Sequence, residues 1–241
     1  METSTRNALL VGAAGLGLIG AAVVLGRRAG SRNAPELTLP PLPYPEDALT
    51  PSVSARTVKE HHESHQAGYV RGYNGAMKTL REARAAGYSD AARVQMLAPV
   101  WKTAMFHGGG AILHKLYWEN LRPNGKPETK PGARTRALLA RDFGSVKEAV
   151  REMVDVGLGI QGSGWTVLAY SPELDQTVLM PVGNHENHLL VGARPLLILD
   201  VWEHAYYADR MNNRKAYLDA LLPRIAWDVV EKRLVDAERV K

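Results

Sequence analysis

The chain has 241 residues, 45% hydrophobic and 23% charged, which suits a globular protein with a real apolar core and excludes wholesale disorder. Its net charge of +5 is uneven: Arg6, Arg27, Arg28 and Arg32 against Glu2 put +3 on residues 1–33, so the nearly neutral remainder gives no charge argument for nucleic acid. With 0 cysteines, disulfides, zinc–thiolate sites, iron–sulfur clusters and thiol nucleophiles are excluded, and any metal falls to His, Asp or Glu.

Residues 8–26 form an uncharged run of Ala, Gly, Leu and Val, preceded by Arg6 and followed by Arg27-Arg28. Its length lies between a signal-peptide apolar region and a short membrane helix, so residues 1–33 read as a signal peptide or membrane anchor. Periplasmic or extracytoplasmic placement is expected, with a membrane tether through residues 8–26 as the alternative to cleavage. The arginines after the run argue the other way, by the positive-inside bias. Residues 34–53 are proline-dense, through Leu39-Pro40-Pro41-Leu42-Pro43-Tyr44-Pro45, and read as an extended arm.

From Ser54, a capping residue, helical periodicity runs to about residue 86. A second helix is expected over 91–121, strained by Gly108-Gly109-Gly110, and a loop over 123–132. Two shorter helices follow at 134–142 and 145–154. Short β-type runs then occupy 165–170, 177–181 and 196–201, the first two joined as a hairpin through Ser171-Pro172-Glu173-Leu174-Asp175. Helical patterns return at 203–211 and 214–235. The order, helices first and a small antiparallel sheet afterwards, is α+β, with boundaries near 54–125 and 134–241.

The 8 histidines are not scattered at random. His61, His65 and Tyr69 are spaced i, i+4, i+8, which places them on one helix face. His107 and His114 share the second helix, with Trp118 one turn beyond. Asp200 and His204 lie four apart where a strand gives way to helix. Several imidazoles beside a lone carboxylate suit a first-row metal ion. An isolated His on an apolar face is more often a satisfied core residue, and spacing alone does not choose which three or four would ligate. His62-Glu63-Ser64-His65 misses the zinc-protease pattern, because the second histidine falls one residue early.

Several strings resemble blocks of the iron/manganese superoxide dismutase family. They are Leu42-Pro43-Tyr44, His61-His62-Glu63-Ser64-His65-Gln66-Ala67-Gly68-Tyr69-Val70, Phe106-His107-Gly108-Gly109-Gly110, His114-Lys115-Leu116-Tyr117-Trp118, Gln161-Gly162-Ser163-Gly164-Trp165 and Asp200-Val201-Trp202-Glu203-His204-Ala205-Tyr206-Tyr207. They occur in family order across roughly residues 38–238, and the last is highly specific.

The resemblance implies an N-terminal helical hairpin domain and a C-terminal α/β domain with a three-stranded antiparallel sheet, with one Fe or Mn ion per subunit between them. Its ligands would be His61, His114, Asp200 and His204, completed by a solvent molecule. The implied activity converts superoxide to dioxygen and hydrogen peroxide. In the family His65 and Tyr69 guard the substrate funnel, while Trp118, Trp165 and Trp202 wall the cavity. Glu203 and Tyr207 resemble residues that reach a partner subunit, so a homodimer or tetramer is expected.

Three positions depart from the pattern. Family members set a glutamine against the metal-bound solvent, from the second helix or from the sheet. Here the helix position is Gly110 and the sheet position is His185, so His185 is taken as the solvent partner, and the choice between iron and manganese stays open. His185 can donate or accept a hydrogen bond depending on its tautomer, which sequence does not fix. His107 stands where asparagine is usual and is expected to pack rather than ligate, and Ala111 replaces a polar residue. Two competing readings are a non-catalytic metal-binding relative and a metal-dependent hydrolase. Retention of every expected ligand opposes the first, and the lack of a free carboxylate base in these blocks opposes the second.

Overall fold

The computed structural model describes residues 35–87 and 89–239, so the apolar run at 8–26 lies outside the described residues. Among the described residues no helix is long and apolar enough to cross a membrane. The arm bears on the helices through polar contacts. The Asn74 side chain pairs both backbone groups of Leu37 at 2.9 and 2.8 Å, and the Pro40 carbonyl accepts from His62 Nε2 at 2.8 Å. The arm is not extended throughout: Glu46–Leu49 closes into a 3-10 turn that buries Leu49.

Ser54 caps the first helix, its hydroxyl accepting from the Thr57 amide at 3.2 Å. The helix expected over 54–86 has three parts: α1 (Ala55–Lys59), a π-helical stretch (Glu60–Gln66) and α2 (Ala67–Ala86). Its partner α3 (Asp90–Glu119) is continuous, so the glycine run does not break it. These glycines are where large groups approach the helix. A Cβ on Gly108 would meet the Tyr73 ring at 3.0 Å, and one on Gly110 would meet the Tyr69 ring at 2.7 Å. The lost helix propensity is offset by close helix–helix contact.

After α4 (Ala133–Phe143) and α5 (Val146–Gly159), three strands form one antiparallel sheet in the order β2-β1-β3: β1 (Gly164–Ser171), β2 (Gln176–Gly183) and β3 (Arg194–Asp200). Every residue of the central β1 is buried, which explains its nearly unbroken apolar run. The free edge of β3 is covered by polar groups from helices. Asn120 bonds both the carbonyl and the amide of Ile198 at 3.1 and 2.9 Å, and Arg233 donates to the Leu196 carbonyl at 3.0 Å. Register places Trp165 opposite Asp200 on one side and Val182 on the other. One end of the sheet therefore gathers the residues of the site.

The C-terminal helices differ from expectation. The stretch 203–211 is a 3-10 turn (Glu203–Ala205) followed by the short α6 (Tyr207–Arg210). The stretch 214–235 divides into α7 (Arg214–Leu221), a 3-10 turn at Leu222–Arg224 and α8 (Trp227–Arg239). Pro223 causes the division, since it has no amide hydrogen for a helical bond and clashes with the preceding turn.

Candidate metal centre

Four side chains converge between the hairpin and the sheet. His61 comes from the π-helical stretch, His114 from α3, Asp200 from the end of β3 and His204 from the turn beyond it. One ligand atom from each lies within 4.8 Å of all the others. Asp200 Oδ2 is 3.0 Å from His61 Nε2, 3.3 Å from His204 Nε2 and 3.9 Å from His114 Nε2. The other oxygen, Oδ1, accepts from the Trp202 amide at 2.8 Å, which fixes the carboxylate's orientation.

The donor set fits a metal cation. His61 Nε2 and His114 Nε2 are buried without a hydrogen-bond partner, a costly arrangement unless something else engages their lone pairs. His114 Nδ1 lies 2.6 Å from the Gly110 carbonyl, which can only accept. The ring proton is thus on Nδ1, and Nε2 is left to ligate. Burial pushes His61 down to about 4, with Asp200 only partly opposing, and pushes His114 well below the usual imidazole range. Burial alone would raise Asp200, but the surrounding imidazoles outweigh it and hold the carboxyl far below its usual value. At neutral pH His61 and His114 are therefore neutral imidazoles beside an ionised Asp200.

Aromatic rings close the cavity. Trp118 meets His61 edge-on at 4.8 Å, and Trp165 meets His114 at 4.8 Å. Trp202 stacks on His185 at 4.5 Å and 9°. Tyr69 lies 4.4 Å from the His185 ring and 5.2 Å from that of His114. Burial first, and then the charge of Asp200, push its phenol upward, so it holds its proton. Gln66, which sequence reasoning overlooked, is fully buried and accepts from the Trp118 indole at 2.9 Å. Its position between His65 and Ala67, in the block that carries His61, was the available signal.

His185 follows directly on Asn184, whose φ of 52° turns the chain inward at a residue type that tolerates the left-handed region. Its tautomer is settled by Trp165, whose indole N–H can only donate and lies 3.0 Å from His185 Nδ1. Nδ1 is the acceptor, so Nε2 carries the proton and is buried with no partner in the protein. Burial pushes this imidazole down to about 4, so it stays neutral. A Cβ on Gly109 would lie 2.4 Å from the His185 carbonyl, so this helix position admits the loop only as glycine.

His65, Glu203 and Tyr207 are exposed. Together with Arg56, Thr57, Glu60, His204 and Ala208 they line an open cleft of about 460 Å³, which shares His204 with the cluster. The His65 ring stacks on His204 at 4.2 Å. His107 is not among the converging donors: its ring lies on Gly72, 5.9 Å from the Tyr69 ring.

A helical hairpin ahead of a three-stranded antiparallel sheet, with two buried imidazoles, a buried carboxylate and the partly exposed His204 converging between them, defines a protein built around a single metal ion. The sequence matches the description "Iron/manganese superoxide dismutases, alpha-hairpin domain" over residues 36–122 and "Iron/manganese superoxide dismutases, C-terminal domain" over 131–233. The chain belongs to the iron/manganese superoxide dismutase family. It is 38% identical over 200 residues to a protein of Pyrobaculum aerophilum named superoxide dismutase (Fe), covering 83% of this chain and 92% of that one. It is 36% identical over 203 residues to superoxide dismutase (Mn) of Chlamydia trachomatis, with 83% and 96% covered. A third relative, superoxide dismutase (Mn/Fe) of Aeropyrum pernix, is 33% identical over 199 residues, with 83% and 91% covered.

Proposed function

We propose that the chain is a superoxide dismutase in which His61, His114, Asp200 and His204 hold one iron or manganese ion. The convergence of those four donor atoms, three of them on buried residues and two without a hydrogen-bond partner, carries the reading. Iron or manganese, when bound, supplies the one-electron oxidation and reduction by which two superoxide anions become dioxygen and hydrogen peroxide. The protein's own work is to hold that centre dry, admit a small anion and keep protons at fixed atoms. His185 presents Nε2–H to the cavity as a donor that cannot become an acceptor while Trp165 occupies Nδ1. Tyr69 and His65 flank the way in, and the indoles of Trp118, Trp165 and Trp202 exclude water. The relatives' names include Fe, Mn and Mn/Fe, and either metal suits this donor set.

The same reading extends to assembly and location. Glu203 and the half-exposed Tyr207 stand at the rim of the cleft, where a second copy of the chain would cover them, so the active form is a homodimer or a pair of dimers. The uncharged run at 8–26 and its flanking arginines support export to the periplasm or outer face, by a cleaved leader or a retained tether.

The test is metal content and superoxide dismutation of the chain reconstituted separately with iron and with manganese. Activity with either metal, abolished by His114→Ala, is the expected result. Stoichiometric metal without activity in both forms would sink the dismutase reading and leave a non-catalytic metal binder.

A further inference from the structure

The proposed chemistry leaves two buried phenols without a task. Tyr117 on α3 and Tyr217 on α7 are 100 residues apart in sequence, are 0% and 1% exposed, and place their hydroxyls 3.0 Å apart. At one end of the pair, the Tyr117 ring lies 5.6 Å from that of His61, 4.8 Å from Trp118 and 6.2 Å from Trp165. At the other end, Tyr217 stacks on Tyr206 at 5.3 Å and 27°. The Tyr206 hydroxyl in turn accepts from Arg214 Nε at 3.3 Å. Core packing does not call for the hydroxyls: two phenylalanines would fill the same space without burying polar atoms. What the pair adds is a short oxygen-to-oxygen path joining the aromatic wall of the metal centre to Tyr206 on its far side.

We propose that Tyr117 and Tyr217 form a radical-transfer pair that draws oxidising equivalents away from the metal ligands and the cavity tryptophans. The proposal rests on the superoxide dismutase reading, because that reaction's product is the source of the oxidant. Iron held by His61, His114, Asp200 and His204 would supply, in passing from ferrous to ferric, the one electron that splits hydrogen peroxide into hydroxide and hydroxyl radical. Hydroxyl radical takes the hydrogen atom of Tyr117: the phenolic O–H breaks, water forms, and a phenoxyl radical remains. The hydrogen atom of Tyr217 then crosses the 3.0 Å gap, breaking its own O–H and remaking that of Tyr117. The unpaired electron is now on Tyr217, one ring further from His61. Exchange between two like groups already at hydrogen-bond distance needs almost no movement of either. A hydrogen-atom equivalent from a thiol reductant in solution, relayed through the stacked Tyr206, restores the O–H of Tyr217 and leaves a thiyl radical.

The experiment exposes the iron-loaded full chain to hydrogen peroxide, with freeze-quench electron paramagnetic resonance and peptide mass spectrometry on the same samples. Ring-deuterated tyrosine identifies a tyrosyl signal by its narrowing, and 3-fluorotyrosine at position 217 keeps the hydroxyl while shifting that residue's signal. The expected result is a tyrosyl radical with a component on residue 217. In Tyr217→Phe that component vanishes, and oxidation of the peptides carrying His61 and Trp118 rises severalfold; Tyr117→Phe gives the same rise. Wild-type extents of peptide oxidation in both phenylalanine variants would overturn the relay. So would an active dismutase that forms no tyrosyl signal, which leaves the function standing. A tyrosyl signal on residue 217 in protein without dismutase activity would keep the pair and remove the function.

Discussion

The buried centre and the mouth of the cleft share His204 but are built in opposite ways. At the centre, His61, His114 and Asp200 are 0–1% exposed, and each is oriented by a neighbour or by the other ligands. At the mouth, Glu203 and Tyr207 face solvent, and the exposed His65 stacks on His204 and meets His61 edge-on at 6.4 Å. The contrast teaches that one chain completes the metal site but not the rim of its own entrance. The described residues leave that rim exposed, and this is the asymmetry that the proposed dimer would remove.

The sharpest way to break the comparison is to attack the centre. Asp200→Asn keeps the shape of the side chain but removes the only anionic donor, so stoichiometric metal should be lost and dismutation should fall to background. Metal analysis of the purified variant is the check. A variant that kept full metal would show that the imidazoles suffice and that the carboxylate does not dominate the site.

Removing the metal exposes the centre's second property, its dependence on neutral imidazoles. Burial pushes His61 and His185 down to about 4, and His114 well below its usual value, against about 6.5 for an unfolded chain. Between those values the unfolded state binds protons that the folded state refuses, so stability falls as pH falls from 6.5 toward 4. The slope flattens once the folded protein takes up the same protons. Denaturant titration of the metal-free protein across that window should lose several kcal/mol, and a flat profile would contradict the burial argument.

The mouth should respond in its own way. Tyr207→Ala is expected to weaken subunit association by about 2–4 kcal/mol, the range of an aromatic anchor in an interface. The metal content of the dissociated chain should remain unchanged. Sedimentation velocity across a concentration series decides it. A Tyr207→Ala protein that associates like the wild type would move the interface elsewhere on the surface.

Trp165→Phe tests the seam between sheet and centre at lower cost. The ring packing survives, but His185 Nδ1 loses its donor, for about 1–3 kcal/mol of stability. Activity is expected to drop by about 10–100-fold, the usual effect of removing a partner that orients a metal-site group. Nitrogen-15 shifts of His185 should show one tautomer in the wild type and a mixture in the variant.

Much of this was legible in the chain itself, for reasons that differ from residue to residue. The four ligands were readable because they lie in long, specific blocks, and the Ser54 cap because a hydroxyl before a periodic run has a local meaning. The strands were found nearly to their ends because β1 is apolar on both faces. Pro223 should have divided the last helix and was passed over. The π-helical stretch at Glu60–Gln66 has no composition of its own, since it exists by virtue of what the hairpin packs against. The tautomer of His185 was beyond reach because its partner stands 20 residues away and meets it only once the sheet is folded.

The smallest effect bears on His107, whose role the sequence left open. Its ring covers Gly72 so closely that a Cβ there would lie 2.5–2.6 Å from three ring atoms. Gly72→Ala alone should therefore destabilise, since overpacking costs about 1–3 kcal/mol and exceeds the gain in helix propensity of about 1 kcal/mol. With His107→Ala in the background the obstruction is gone and only the propensity gain remains, so the same substitution should change sign. A double-mutant cycle in denaturant measures that reversal directly. If the sign does not change, the imidazole yields to the new methyl group, and His107 is held there by something other than its fit over α2. If it does, the residue is a packing element of the hairpin, and metal content in both variants should match the wild type.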